Sequence, residues 1–366
     1  MKIPYVDLAS QHQNIKKELL QAVESVLDSG QFILGEETAL FEKEFASLCD
    51  VEHAVGVNSG TDALILAMRC LGIGEGDEVI TTSNSYLASA SSIALAGAMV
   101  KFADVRNDLN IDPLSLEKAI SPKTKAVVVV HLTGRPASMD EVLDICKRHN
   151  LKIIEDAAQA VGAKYKGKPV GSFGDVGCFS LHPLKNLNAC GDAGILVTKD
   201  KSIADRARLL RNHGHSSRDN CVEFSMVSRL DSLQAAILRV KLRHLDEVTS
   251  RRRDNAKVYL EKLRSCPYIC LPVDSPEEVS VYHTFVIQAE RRNELKSFLE
   301  AQGIATAIHY PIPIHLMEVG KKLGFHPGML PNTERLASVI LSLPIYPELG
   351  KDSLAFISEK IIEFYN

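Results

Sequence analysis

The sequence predicts an α/β fold in which a mostly parallel sheet lies between helices and is joined to a smaller α/β unit. Two observations lead to this prediction. Short apolar runs alternate with amphipathic helical patterns between residues 53 and 198, and a long charged helical stretch follows at about residue 229. Continuous apolar strands separated by amphipathic helices are typical of a parallel sheet that is covered on both faces.

The elements of the larger unit can be placed in order. The segment NIKKELLQAVESVLDS predicts a helix that ends at Gly30 as its C-cap. Helical patterns then alternate with five apolar runs that predict strands: HAVGV (53–57), DEVITT (77–82), AMVKFADV (98–105), KAVVVVHL (125–132) and LKIIEDAAQA (151–160). Two further strands, DVGCFSL and GILVTKD, are joined by a loop that carries Lys185.

The remainder predicts a separate small unit. Residues 229–264 are expected to form one long connecting helix. After it we expect a strand at 281–289, a helix near 292–302, a strand near 304–308 and terminal helices. The sequence therefore predicts a large domain at 1–240 and a small domain at 241–366.

Composition excludes several classes of protein. The chain has 366 residues, of which 45% are apolar and 24% are charged, and its net charge of -4 gives no basic bias for binding nucleic acid. No apolar run approaches the roughly 20 residues that a membrane helix needs. The N-terminus lacks an apolar signal core, so we expect a cytoplasmic protein. Eight cysteines without a C-x-x-C pair predict reduced thiols and no metal site.

Three groups that can carry chemistry lie at predicted strand ends. The turn NSGTDAL (58–64) precedes a helix and offers free backbone N–H groups to an anion, although Ser59 or Thr61 as an ordinary N-cap is an alternative. The run IIEDAAQA ends in Glu155 and Asp156, which could instead cap a helix. The third group is the amine of Lys185, in a stretch with almost no other charge.

Together these groups match the needs of pyridoxal 5'-phosphate. That cofactor requires a phosphate site, an acid that holds its ring nitrogen protonated, and a lysine for a Schiff base. Burial makes a lysine lose its proton more easily, which turns its amine into a nucleophile. Tyr86, at another strand-to-helix junction, is available to stack on the ring, and core packing is the alternative for this residue.

The sequence resembles the DegT/DnrJ/EryC1/StrS family of sugar aminotransferases almost from end to end. This resemblance implies fold type I of the pyridoxal phosphate enzymes, with a mostly parallel seven-stranded sheet in the large domain. The matching motifs include VDLASQHQNIKKEL, GQFILGEETALFEKEFA, VNSGTDALILAM, HLTGRPASMDEV, IIEDAAQAVGAKYKGKPVGSFGDVGCFSLHPLKNLNACGDAG, SRLDSLQAAILRVKL and GIATAIHYPIPIHL.

The resemblance also implies a role for each matching residue. Lys185 would form the Schiff base and then carry a proton. Asp156 would pair with the pyridine nitrogen, Gln159 would bond near the phenolic oxygen, and Tyr86 would cover the ring. Three residues would hold the phosphate: Gly60, Thr61 and Ser180.

In this family an amino acid, usually glutamate, loads the cofactor, and the amine then passes to a nucleotide-linked keto sugar. Such enzymes are typically homodimers with shared active sites. The run AIHYPIPIHL resembles members that act at C3 of dTDP-linked 3-keto-6-deoxyhexoses, so His309, Tyr310 and His315 are candidate substrate contacts. Metal binding by these histidines does not fit their spacing around two prolines, but bonding to the backbone in a proline-rich loop remains an alternative.

The sequence departs from the family at three places. Val227 stands where many relatives have an asparagine that reaches the phosphate in the partner subunit. The segment SSRDNCVEF lacks a Lys-Tyr pair that is common in C3-acting members, and His182 replaces a common Phe or Tyr. Arg229 remains as a candidate contact to a carboxylate or phosphate across the dimer, with a salt bridge to Asp231 as the alternative.

Other functions compete with this one. Amination at C4 of UDP-, GDP- or dTDP-4-keto sugars remains open, as does the pathway: O-antigen, capsule or secondary metabolite. The resembling deoxysugar dehydratases replace the lysine with histidine, whereas this chain keeps Lys185. A non-catalytic regulatory homologue should have lost Lys185 or Asp156, and both are present.

Overall fold

The computed structural model describes residues 2–366 of the chain, which form fourteen α-helices, fifteen short strands and two 3₁₀ turns. The helices are α1 Leu8–Gln13, α2 Lys16–Ser29, α3 Glu36–Leu48, α4 Gly60–Cys70, α5 Ala88–Leu95, α6 Pro113–Ala119, α7 Met139–Arg148, α8 Lys201–Leu210, α9 Ser232–Arg243, α10 Leu245–Leu263, α11 Arg292–Ala301, α12 Glu318–Lys322, α13 Pro331–Val339 and α14 Lys351–Tyr365.

The strands are short, and most belong to two sheets. They are β1 His53–Val57, β2 Glu78–Thr82, β3 Met99–Ala103, β4 Thr124–Val130, β5 Lys152–Asp156, β6 Lys164–Tyr165, β7 Lys168–Pro169, β8 Val176–Ser180, β9 Gly194–Thr198, β10 His215–Ser217, β11 Asn220–Cys221, β12 Ile269–Cys270, β13 Glu278–Val279, β14 Phe285–Ala289 and β15 Ile340–Leu343. The 3₁₀ turns are Leu132–Gly134 and Ile314–Leu316.

The large sheet has seven strands in the order β1-β9-β8-β5-β4-β2-β3. Strand β9 runs antiparallel to both of its neighbours, and the other described pairs in the sheet are parallel. This direction has a simple cause, because the loop at 181–193 joins β8 to β9 without a crossover helix, and a parallel connection needs one. The prediction of a mostly parallel seven-stranded sheet is confirmed.

Both faces of this sheet are covered, which explains why its strands are mostly apolar. In β4, Ala126 and Val128 pack into a core with α4, α5 and α8, while Val127 and Val129 pack into the opposite core with α6 and α7. Helices α3 and α9 cover the other end of that second face. The carboxyl ends of the parallel strands consequently meet at one edge of a rigid layer, where loops can place side chains together.

A separate core, away from the large sheet, lies around the sheet β12-β14-β15 and helices α10, α11 and α14. Ile3 joins this core and forms a bridge with Ile304. The expected strand at 304–308 was wrong: Ile304 and Ala307 each form one isolated bridge, so no continuous ladder develops. Strand β14 begins only at Phe285, and β15 was not expected at all.

Two helix predictions had different outcomes. The N-terminal helix is confirmed as α2, and Gly30 closes it with a left-handed φ of 65° and an N–H that donates to Val26 O. The single helix expected at 229–264 was wrong, because the chain turns at His244 between α9 and α10. Over residues 2–366, no helix combines the length and the hydropathy that crossing a bilayer requires.

Candidate active site

A cavity of about 370 Å³ lies at the carboxyl ends of the parallel strands. All the cofactor residues predicted from the sequence line it, and so do His309 and Tyr310. Arg229 and His315 are not among the residues that line it. The cofactor residues are Gly60, Thr61, Tyr86, Asp156, Gln159, Ser180 and Lys185.

One end of the cavity is the N-terminus of α4. Ser59 is its N-cap, and its hydroxyl accepts a hydrogen bond from the Asp62 N–H at 3.1 Å. The N–H groups of Gly60 and Thr61 precede any intrahelical acceptor and carry the positive end of the helix dipole. A Cβ at Gly60 would lie 2.7 Å from Ser180 Cβ, so glycine allows the helix end to touch β8. This end of the cavity is suited to an anion.

The two acidic residues at the end of β5 have different surroundings. Glu155 is fully buried on the far side of the strand, and its carboxylate lies 3.0 Å from His131 Nε2. Its two oxygens also accept three backbone hydrogen bonds, from Gly171, Phe173 and Gly174. The carboxylate of Glu155 therefore stabilises the fold through these hydrogen bonds, and the residue is not among those that line the cavity.

Asp156 projects into the cavity from the opposite side of β5. Its Oδ1 accepts the Ala158 N–H at 3.2 Å, and its Oδ2 accepts the Ser89 hydroxyl at 2.6 Å. Only 5% of the residue is exposed, so the carboxylate is fixed in a largely dry setting. Its remaining lone pairs are available to a group inside the cavity.

Lys185 lies in the loop between β8 and β9, across the same cavity. The backbone N–H of Lys185 donates to His182 O at 2.8 Å, and its backbone carbonyl accepts from the Asn188 side chain at 2.9 Å. Asn188 in turn accepts from the buried ammonium of Lys241. Burial lowers the pKa of Lys185 to about 8, while the attraction of Asp156 acts in the opposite direction. An amine with this pKa is partly neutral near physiological pH.

Gln159 and Tyr86 border the cavity between these groups. Gln159 Oε1 accepts the Thr133 N–H at 2.8 Å, and its amide nitrogen donates to the Tyr310 hydroxyl at 3.2 Å. The side chain of Tyr86 is 62% exposed, which does not fit the alternative of core packing. Its ring centroid lies 6.2 Å from that of Tyr310, so two aromatic rings flank the opening.

Two histidines complete the wall near Lys185. His309 Nδ1 lies 2.9 Å from Ser342 Oγ, and burial, together with the charge of Lys185, lowers the pKa of His309 to about 4. His283 was not expected from the sequence, and burial holds its pKa well below the ordinary value. Its position in VYHTF, a histidine in an otherwise apolar strand-like run, was the only available signal. Both rings are neutral at pH 7.

His315 and Arg229 have partners outside the cavity. His315 is buried, with Nδ1 2.7 Å from Ser83 Oγ and Nε2 3.1 Å from Glu334 Oε1. Arg229 donates to the Asn212 side chain at 3.1 Å instead of pairing with Asp231. Within the described residues no group of three or more His, Cys, Asp and Glu side chains is placed to hold a metal ion.

Comparison with known proteins connects this geometry to an enzyme family. The family model of the DegT/DnrJ/EryC1/StrS aminotransferases matches residues 13–362. A Streptomyces venezuelae protein named dTDP-3-amino-3,4,6-trideoxy-alpha-D-glucose transaminase is 44% identical over 364 residues, which cover 99% of this chain and 96% of the relative. An Aneurinibacillus thermoaerophilus dTDP-3-amino-3,6-dideoxy-alpha-D-galactopyranose transaminase is 42% identical over 366 residues, covering 100% and 99%.

Solved structures show the same fold. S. venezuelae DesV in complex with a ketimine intermediate superimposes with a TM-score of 0.97 at 44% identity, covering 99% of this chain and 98% of that one. Bacillus subtilis NtdA with bound cofactor PMP gives a TM-score of 0.93 at 29% identity, covering 99% and 85%. These likenesses confirm fold type I and the resemblance seen in the sequence. The chain belongs to the DegT/DnrJ/EryC1/StrS aminotransferase family.

Proposed function

We propose that the protein is a pyridoxal phosphate-dependent aminotransferase that moves an amino group from glutamate to C3 of a dTDP-linked keto-deoxysugar. The observation that carries this proposal is the meeting of Lys185, Asp156 and the N-terminus of α4 in one cavity. These three groups come from separate parts of the chain, and each serves a different part of the cofactor.

The residues present fit pyridoxal phosphate. The anion cradle at Gly60 and Thr61, with Ser180 beside it, suits the phosphate. The fixed carboxylate of Asp156 suits a protonated pyridine nitrogen, and the side chain of Gln159, which also borders the cavity, would bond the phenolic oxygen. Tyr86 would cover the ring, and Lys185 is the point of covalent attachment. When bound, this cofactor acts as an electron sink for charge that develops at the substrate carbon.

The side chains of this protein then have defined tasks. Lys185 Nζ, with a pKa of about 8, can hold a proton and release it near neutral pH, which is the property required of a general acid and base. The carboxylate of Asp156 would favour a positive charge on the pyridine nitrogen of the cofactor. The neutral rings of His283 and His309 line the wall around the amine without adding charge that would compete with it.

The choice of substrate is supported by the relatives, because the two transaminases described above are both named for 3-amino dTDP-sugars. In this chain His309 and Tyr310 would contact the sugar. His315 would act through the loop that carries them, since the Ile314 N–H donates to Ser83 O and His315 bonds the same serine. Amination at C4 is the competing outcome of the test below.

We further propose a homodimer with shared sites. Lys185 is the only lysine or arginine that lines the cavity in residues 2–366, so the carboxylates of glutamate require another cation. Arg229 lies outside its own cavity and is the candidate to reach that of a second copy. Eight unpaired cysteines favour a reducing compartment such as the cytoplasm. The product would serve O-antigen, capsule or glycosylated-metabolite synthesis.

The proposal is tested by incubating the purified enzyme with glutamate and a panel of 3-keto and 4-keto dTDP-, UDP- and GDP-sugars. Aminated products are identified by mass and NMR. We expect transfer to C3 of a dTDP-3-keto sugar, and Lys185→Ala should abolish it. Transfer only to 4-keto sugars would overturn the C3 assignment. Turnover of free keto acids but of no nucleotide sugar would overturn the substrate class.

A further inference from the structure

Two serine hydroxyls extend from the carboxylate of Asp156 in a line. Ser89 Oγ lies 2.6 Å from Asp156 Oδ2, and Ser85 Oγ lies 2.7 Å from Ser89 Oγ. Both serines are buried, with exposures of 3% for Ser85 and 0% for Ser89. Ser85 lies on the segment that joins β2 to α5 and lines the cavity, whereas Ser89 lies in the first turn of α5.

The chemistry of the groups sets the direction of both hydrogen bonds. An ionised carboxylate has acceptors only, so the single proton of Ser89 points at Asp156. Ser89 has no second proton to offer, and its bond with Ser85 must therefore be donated by Ser85. Donation consequently runs from Ser85 through Ser89 to Asp156. In a chain of this kind each bond polarises the next, which strengthens both in a buried setting.

The placement of Ser89 is not that of an ordinary serine in a helix. The hydroxyl of such a serine usually donates a hydrogen bond to a backbone carbonyl of the preceding turn. Ser92 follows this pattern, because its hydroxyl donates to Ser89 O at 3.5 Å. The hydroxyl of Ser89 instead crosses from α5 to the end of β5. This contrast makes Ser92 a matched control on the same buried helix face.

We infer that Ser89, and through it Ser85, are positioning residues that orient the Asp156 carboxylate toward the pyridine nitrogen of the cofactor. This inference rests on the proposed function, because the nitrogen belongs to the proposed cofactor. With Oδ2 held by Ser89 and Oδ1 held by the Ala158 N–H, the carboxylate cannot rotate freely. A carboxylate fixed beside the ring nitrogen would favour the protonated form of that nitrogen.

The test uses apo-enzyme titrated with pyridoxal phosphate and followed by absorbance. For Ser89→Ala we expect the dissociation constant to rise roughly tenfold or more, as for loss of a hydrogen bond to a charged group. Ser85→Ala should raise it roughly two- to fivefold, because it removes only the outer bond of the chain. Ser92→Ala should stay within about twofold of the wild type.

The double variant Ser85→Ala/Ser89→Ala distinguishes a relay, in which Ser85 acts on Asp156 through Ser89, from two separate structural effects. If Ser85 acts through Ser89, the Ser85→Ala change has no further effect once Ser89 is alanine. A purely structural role would instead give additive losses, and additivity would overturn the inference. Ser89→Thr, which keeps the hydroxyl, should bind the cofactor like the wild type and guards against misreading a folding defect in Ser89→Ala.

A second readout follows the protonation of the bound cofactor. The pH dependence of its absorption bands should shift in Ser89→Ala and return in Ser89→Thr, whereas Ser92→Ala should leave it unchanged. Unchanged bands and affinity in Ser89→Ala would overturn the relay alone, provided that the wild type shows cofactor binding that depends on Lys185. Absence of such binding in the wild type would overturn the proposed function itself.

Discussion

The amine of Lys185 has a pKa that differs strongly between the folded and unfolded chain. Burial lowers it from 10.5 to about 8. Between these two values the unfolded chain binds more protons than the folded one, so the stability of the apo-protein should rise with pH across this window. Well below pH 8 the amine is charged in both states, and the folded state carries the full cost of burying that charge.

Replacing this lysine with a neutral side chain should consequently stabilise the apo-protein. We expect Lys185→Met to raise the free energy of unfolding at pH 7 by about 1–3 kcal/mol, a value reduced because part of the residue remains exposed to solvent. The gain should shrink as pH rises from 8 to 10.5. Urea unfolding at several pH values measures it, with Lys321→Met as an exposed control. A gain that does not change with pH would contradict the explanation.

Val227 offers a test of the phosphate contact that the sequence predicts to be lost or supplied elsewhere. The residue is 42% exposed and forms an isolated bridge with Asn212, so a polar side chain can be accommodated. Val227→Asn would restore the asparagine of the family and should tighten cofactor binding by a few-fold to about tenfold in the proposed dimer. Val222→Asn, another exposed valine of the same segment, is the control. Equal effects of both changes would refute a specific contact.

At this scale the sequence predicted the kinds of residues better than their surroundings. Lys185 and Asp156 could be named because their chemistry is distinctive at strand ends, whereas Gln159 was implied only by the family resemblance. Without the resemblance, the different roles of Glu155 and Asp156 could not be inferred, because they depend on which face of β5 each side chain occupies and on N–H groups from a distant loop. Ser89 gave no signal, since its partner lies 67 residues away in the chain.

At the scale of elements, the start of α4 is held against β8 by a very close approach. A Cβ on Gly60 would lie 2.7 Å from Ser180 Cβ and 3.0 Å from its Cα. Side chains do not tolerate such distances, so a larger residue would push the helix end away from the strand. The two free N–H groups would move with it.

Gly60→Ala should therefore weaken cofactor binding by roughly tenfold or more and destabilise the apo-protein by about 1–3 kcal/mol. Titration with pyridoxal phosphate and urea unfolding measure the two effects. Gly350→Ala is the control, because a Cβ at this N-cap position of α14 meets nothing within 4 Å. Unchanged cofactor affinity in Gly60→Ala would argue against an anion site at this helix end.

The prediction of helices and strands succeeded where a single hydrophobic pattern dominated the segment. The buried strands of the large sheet were recognised because both of their faces are apolar, and α2 was recognised from its periodicity and Gly30. Strand β15 was missed because it follows α13 directly, without turn residues, and its ILSL continues the helical pattern. The break at His244 was missed because no proline or glycine marks it.

At the scale of the whole molecule, large apolar side chains remain exposed around the cavity and the segment near Arg229. Tyr86 is 62% exposed, Leu184 50% and Phe224 95%. Exposed apolar surface of this kind marks interaction sites. It supports the proposed homodimer, as does the lack of a second cation among the residues that line the cavity. The proposed domain boundary near residue 240 stays a prediction, and it would place α10 with the core around the sheet β12-β14-β15.

Mixing inactive subunits tests whether sites are shared. Lys185 and Asp156 belong to the same cavity, whereas Arg229 would serve the cavity of the partner. A mixture of Lys185→Ala and Arg229→Ala subunits should recover about one quarter of wild-type activity, because half of the dimers are mixed and one of their two sites is intact. Lys185→Ala mixed with Asp156→Asn should recover none. If Arg229 acted within its own chain, neither mixture would recover activity.

The most direct measurement locates the cofactor itself. The enzyme loaded with pyridoxal phosphate is reduced with borohydride, which makes the bond between aldehyde and amine permanent, and the modified peptide is identified by mass spectrometry. We predict a single modified residue, Lys185, with much weaker modification when Asp156 is changed to Asn or Ala. Modification at another lysine, or none in the wild type, would contradict the assignment of this cavity as the active site.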